Sequence, residues 1–367
     1  MARVIAVASV VAALPLLCSA QAPRGGATQV PCTSCVIKLT PTLTIDGRSA
    51  GSRIGQFSEL YRLKSGRFVV GALADKSHAL YEPNGAFVAR FGSDVKREKN
   101  MPIAARIIGG ERDSIYMYDN FLEREIVFSP SLKTVRSRSL PITPFSVLRL
   151  PNDTLLILSR SDSAPASGYP FHIVDGAGRI TRSFGADYPL TADQLYNAFS
   201  WVVPSRDSTA FWTFHRNRYA IEKWSIDGHR LLSVQRDVDW FPPRQRESDA
   251  PIRAVKPQPR IVSVWEGDHG LLWTIVSVPK VDWKPTVQRR PRDEEDLPTL
   301  EDMMMVYDSI IEVIEPTTSR LVASSRLSDL LGYFVADGVV VGMRLQARQP
   351  VLQLRQVVLE SGPSRRH

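Results

Sequence analysis

Six times along this chain a short polar turn is followed at once by an apolar run. The turns are Ser65-Gly66, Asp113-Ser114, Asp153-Thr154, Asp207-Ser208, His269-Gly270 and Asp337-Gly338. The runs open Phe68-Val69-Val70, Ile115-Tyr116-Met117, Leu155-Leu156-Ile157, Ala210-Phe211-Trp212, Leu271-Leu272-Trp273 and Val339-Val340-Val341. Strand–turn–strand units recurring at about fifty residues are the mark of an array, because one unit cannot bury its apolar face alone and must stack on its neighbours. The 367 residues would on average size make two domains, but an array of this kind grows as one body.

A second set of turns runs out of phase with the first: Pro83-Asn84-Gly85, Pro130-Ser131, Asp175-Gly176-Ala177-Gly178, Asp227-Gly228 and Pro316-Thr317. Each joins two apolar strands and carries the Gly, Asn or Pro that a hairpin demands. Together the two sets define a unit of four strands, a to d, and five such units fit between about residues 56 and 327. Several b strands are apolar without alternation, as expected where both faces are covered by neighbouring sheets. The sixth unit has strands a, b and c but no d. The β-branched segment Val36 to Ile45 belongs to no unit of its own, and pairing it with the last strand c closes the ring and hides an edge. Pro41, which cannot donate to a ladder, fits an outermost strand. The predicted fold is all-β: a six-bladed β-propeller of four-stranded blades over residues 32–362, closed by the N-terminal strand, with a short basic tail at 363–367.

Asp175-Gly176-Ala177-Gly178-Arg179-Ile180, Ser225-Ile226-Asp227-Gly228-His229-Arg230-Leu231 and Tyr307-Asp308-Ser309-Ile310-Ile311-Glu312-Val313-Ile314 resemble segments of secreted bacterial propellers of the broad NHL/TolB-like group. The resemblance implies architecture and not activity, since the group mixes binding scaffolds with a few enzymes.

Met1 to Ala20 reads as a secretory signal: Arg3, then an uncharged apolar stretch from Val4 to Leu17, then Cys18-Ser19-Ala20 with small residues at the cleavage positions. Residues 21–31 then form a flexible mature N-terminus. Lipid attachment at Cys18 is the lesser alternative, because Leu17 is not the small residue such a site wants. No other segment is apolar enough to cross a bilayer. In an oxidising compartment Cys32 and Cys35 form a local disulfide; Val36 stands where a haem-attachment site needs His. The net charge of +8 attracts anionic surfaces without specificity, and no nucleic-acid-reading motif accompanies it.

The a–b and c–d turns emerge on one face of the ring and are all short. The long connections are b–c loops and d–a crossovers on the opposite face, where binding is usually built. The candidate ligand-face residues are Lys96, Arg160, Tyr188, His215, Arg218, Trp240, Arg244, Trp283 and Arg290. Trp283 lies beside the charged run Arg289 to Asp296, which reads either as a lid or as a solvated loop. Trp240 and Arg244 suit a contact surface, although Trp240 and Phe241 can equally fold back over a blade edge. His215 at the end of a b strand reads as a surface residue or a ligand contact.

The expected function is a non-catalytic binding module, monomeric, taking a protein, peptide or small polar ligand, with no catalytic residue assigned and no cofactor expected. One alternative is a metal-dependent hydrolase or lyase, which would need several Asp, Glu, Asn or His converging from the inner ends of the a strands. Another is a structural part of a cell-envelope assembly. The aspartates of the short turns read as turn residues, not as acids for catalysis.

Overall fold

A computed structural model of the chain describes residues 34–54, 58–71, 73, 77–92, 105–159, 168–186, 189–191, 194, 199–215, 218–242, 256–285 and 300–361. The repeated turns do what their composition predicts. Gly66, Gly270 and Gly338 sit at φ of 88°, 68° and 63°, and Asp113 and Asp153 at 60° and 57°, the left-handed region that lets a chain reverse within a few residues. Each reversal closes a hairpin, and the hairpins assemble into six antiparallel four-stranded sheets.

Blade 1 comprises Glu59–Arg62, Phe68–Gly71, His78–Tyr81 and Phe87–Phe91. Blade 2 comprises Ala105–Gly109, Ile115–Asp119, Arg124–Phe128 and Thr134–Ser139. Blade 3 is built from Ser146–Arg149, Leu155–Leu158, Phe171–Val174 and Ile180–Phe184, and blade 4 from Phe199–Pro204, Ala210–His215, Ala220–Ser225 and Arg230–Gln235. Blade 5 holds Arg260–Glu266, Leu272–Pro279, Tyr307–Glu315 and Arg320–Leu327, with a helix Leu300–Val306 in its b–c connection. In blade 6 the strands Leu330–Ala336, Val339–Gln346 and Gln349–Ser361 are followed in the sheet by Cys35–Ile45. That strand runs antiparallel to strand c, from Cys35 opposite Ser361 to Ile45 opposite Leu352.

The b strands lie between neighbouring sheets, and those of blades 1, 3 and 4 are buried along their whole length. The outermost strands solve a different problem, since an exposed straight edge invites pairing with another chain. Every one of them carries a single extra residue: Val88, Val135, Thr181, Leu231 and Val322 just after the c–d turn and, in the closing strand, which follows no such turn, Thr42 beside the Leu354 and Arg355 rungs. Such bulges twist an edge out of register with a would-be partner. Two of them are tied down by their own hydroxyls: Thr42 Oγ1 donates to the Leu354 carbonyl at 3.3 Å and Thr181 Oγ1 to that of Ile173 at 3.2 Å.

The seams between blades differ in chemistry. Between blades 3 and 4 the rings of Phe171, Phe184, Phe199, Phe211 and Trp224 pack with centroids 4.9 to 6.3 Å apart. Burying each contributes roughly 2–3 kcal/mol. Between blades 2 and 3 the seam is ionic. Glu125, wholly buried, receives Arg136 at 2.6 Å and Arg138 at 3.1 Å from its own blade and Arg149 at 3.0 Å from the next. Asp153, in the a–b turn of blade 3, takes Arg149 at 2.6 Å and Arg136 at 2.8 Å. Burial works against the Asp153 charge, but the hydrogen bonds from Arg136 and Arg149, with Arg138 close by, hold its carboxyl down to about 2. Blades 4 and 5 are stapled by Glu312, which accepts from the Tyr219 hydroxyl at 2.6 Å and pairs with Arg236.

Candidate functional site

Strand a of every blade is the innermost, so its side chains decide what the axis of the ring looks like. Register puts one residue per blade at the same level, on the next-to-last rung before the a–b turn. These are Tyr61 opposite Val69, Ile108 opposite Tyr116, Leu148 opposite Leu156, Val203 opposite Trp212, Trp265 opposite Trp273 and Phe334 opposite Val340. All six are apolar or aromatic, and all six line one central cavity of about 440 Å³. All six are half-buried, partly open to water. Trp201 and Tyr333 join the wall one level further in. A cavity of this size with this lining falls in the range of small-molecule sites.

The wall is held still. The Trp265 ring lies 5.4 Å from Phe334 and 5.7 Å from Trp273, and its Nε1 donates to Asp337 Oδ1 at 3.3 Å. The Phe334 amide donates to Ser263 Oγ at 3.2 Å, and the Leu60 amide donates to the Tyr333 hydroxyl. Fixed rings of this kind cost little further ordering when a ligand arrives.

The cavity wall extends into the a–b turns at exposed Arg206 and Asp337, so its described rim is on the short-turn face. The charges there are engaged. Glu266 accepts from Ser205 Oγ at 2.5 Å, Trp212 Nε1 at 2.9 Å and the Arg206 amide at 3.1 Å, and pairs with Lys223 at 3.3 Å. Burial opposes its ionisation, but those bonds hold its carboxyl below the ordinary carboxylate range. Arg206 itself pairs with Asp268 at 2.6 Å. Among the described residues no three His, Cys, Asp or Glu stand together as a metal site.

Of the nine candidates read from the sequence, Lys96, Arg160, Tyr188, Arg244 and Arg290 lie outside the described residues, as does Cys32 of the cysteine pair. Of the other four, His215 and Arg218 meet, while Trp240 and Trp283 pack in separate clusters. His215, read as a surface residue or a ligand contact, is buried at the end of strand b of blade 4. Its Nε2 lies 3.1 Å from Glu222 Oε1 and 3.1 Å from the Arg218 guanidinium. Burial resists the charge on Glu222, but contacts with His215, Trp224 and Arg230 lower its carboxyl. Trp240 packs edge-on against Tyr219 and Phe241, covering the side of blade 4. Trp283 is half-buried against the cluster of Leu300, Val306, Tyr307 and Leu330. In the connection from blade 3 to blade 4, Thr191 N donates to Gln194 Oε1 at 2.8 Å and Gln194 N to Thr191 Oγ1 at 3.4 Å, the reciprocal bonds of a capping box.

The channel residues were not among the sequence candidates. Their signal is an apolar side chain recurring just before each short turn, which can be aligned only once the rungs are known.

No family model matches the chain, and no curated protein matches it in sequence. Solved structures do resemble it in fold. A member of the DUF4221 family from Bacteroides vulgatus superposes with a TM-score of 0.59 at 7% identity, over 89% of this chain and 99% of that one. A protein described as exported, from Bacteroides fragilis, gives 0.57 at 10% identity, over 89% and 96%. Virginiamycin B lyase from Staphylococcus aureus gives 0.46 at 10% identity, over 87% and 99%. At these identities the first two likenesses show the fold alone.

Proposed function

We propose that the protein is a non-catalytic binding module whose ligand seat is the central channel. The observation that carries this is the ring of six apolar side chains, one from each blade on the same rung, around a cavity of about 440 Å³. Maintaining such a cavity is costly to a fold unless something fills it: lining atoms lose contacts that a packed core would keep. The engagement of Glu266 and Arg206 with protein partners also favours binding over chemistry at the rim.

The reading is tested by calorimetric titration with 2-naphthol, a small neutral probe. One site per chain is expected in the native protein and none in Val203→Trp, which fills the ring from a half-buried position. A native protein that takes up no naphthol, or a filled variant that binds it undiminished, contradicts the assignment. Unchanged thermal unfolding of the variant shows that the ring still folds.

The chain is exported, loses Met1 to Ala20, carries a Cys32–Cys35 disulfide and belongs with the NHL/TolB-like propellers. Intact mass of the protein recovered from an exporting host, before and after reduction, checks the first three.

A further inference from the structure

The two sides of the channel are not alike. Blades 2 and 3 contribute only the aliphatic Ile108, Val147 and Leu148, whereas the lining aromatic rings all come from blades 4, 5, 6 and 1, with Trp265, Phe334, Tyr333, Tyr61 and Trp201 among aliphatic neighbours such as Val203 and Val262. Trp265 and Phe334 are tilted by only 39° and are pinned from behind by Trp273, Asp337 and Ser263. They form a fixed aromatic shelf facing an aliphatic wall. A planar conjugated ring laid on such a shelf gains an offset aromatic contact beyond simple burial, and a saturated body of the same size does not.

Charge is the second constraint. A charged group brought into an apolar cavity must find a counter-charge or lose its hydration uncompensated. The charges on this wall already have partners: Glu266 with Lys223, Arg206 with Asp268, and Asp337 as acceptor for Trp265. Glu59 is also engaged within the protein. Each charged group the wall presents thus already has a contact within the protein, with which a charge on a seated ligand would have to compete.

We infer, resting on the channel as the ligand seat, that its ligand is an uncharged planar aromatic or conjugated small molecule, seated flat on Trp265 and Phe334. Specificity then comes from shape and ring stacking. The few polar atoms of such a ligand would face the short-turn rim, where Arg206 and Asp337 meet solvent.

The test compares four probes of similar size by titration: 2-naphthol, 1-adamantanol, 2-naphthoate and naphthylmethylammonium. Naphthol is expected to bind about tenfold more tightly than adamantanol and than either ion. The preference over adamantanol should vanish in Trp265→Leu and persist in Trp265→Phe, which keeps a ring on the shelf. Equal affinity for naphthol and adamantanol overturns the aromatic assignment while leaving the channel as a binding site. Tighter binding of either ion overturns its neutrality. Failure of all four probes overturns the channel reading, and this inference with it. Should Trp265→Leu fail to fold, Phe334→Leu serves as the second aromatic deletion, with the same loss of preference expected.

Discussion

Blades 2 and 3 and blades 4 to 6 spend their polar chemistry in different places. In the first pair it sits in the seam between the sheets, where Glu125 and Asp153 gather Arg136, Arg138 and Arg149, and the channel wall above is plain aliphatic. In the second group Glu266 and Asp337 act at the end of the channel, fastening Trp212 and Trp265, and the wall there carries aromatic rings beside aliphatic side chains. Ions hold blades together in both halves, as Glu312 does with Arg236 between blades 4 and 5, but only in the second does a carboxylate, Asp337, also fasten an aromatic ring of the channel wall. On the proposed binding role, the difference places ligand recognition on the second half and leaves the first as a backing.

The contrast breaks most readily at Glu125. Truncation to alanine leaves three guanidinium groups around an empty, buried position, and removal of one partner from a buried ionic cluster costs about 3–5 kcal/mol. Urea unfolding should show that loss, while naphthol affinity of the folded protein stays as it was. A loss under about 1 kcal/mol would show that the seam is not what holds the aliphatic half.

The next effect is on pH. Burial of His172 in blade 3 pushes its imidazole down to about 4. As pH falls below about 6.5 the unfolded chain takes up this proton first, so stability drops between pH 6.5 and about 4, by an amount on the order of 3 kcal/mol. His172→Gln should flatten that window. Asp153 works at lower pH and with the opposite ionisation. Its depressed carboxyl stabilises the fold above about pH 4, and that contribution, about 1–2 kcal/mol, is lost as pH falls to about 2. Asp153→Asn should remove this second slope and leave the first. The smallest effect belongs to the rim: Arg206→Ala breaks a solvent-exposed pair with Asp268 and should change stability by less than about 0.5 kcal/mol. Its effect on naphthol binding should stay under twofold, and a larger one would move recognition from the rings to the rim.

Much of the fold was legible because its signals are local. A left-handed Gly66 or Asp153 marks a reversal from the residue type alone, and an unbroken run such as Leu155 to Leu158 marks a doubly covered strand. The site was less legible because its signal is not local. Which residue of strand a reaches the axis depends on register, and bulges such as that between Ile261 and Ser263 shift the register inside the strand. Trp265 and Phe334, 69 positions apart in the chain, meet only because blades 5 and 6 are neighbours. The burial of His215 was not legible for a similar reason: its strand end looks exposed until the Glu222 carboxylate of the next strand is set beside it. Loop length and composition point to the opposite face, whereas the described cavity reaches the short turns.

The most direct measurement uses the single isoleucine among the described channel residues. Ile108 can be followed by methyl NMR in isoleucine-labelled protein as 2-naphthol is added. Ring-current shifts should move the Ile108 methyl resonance with saturation at one equivalent, while Ile157 and Ile275, buried in b strands away from the axis, stay in place. A stationary Ile108 with shifts elsewhere would place the ligand outside the channel and contradict the account.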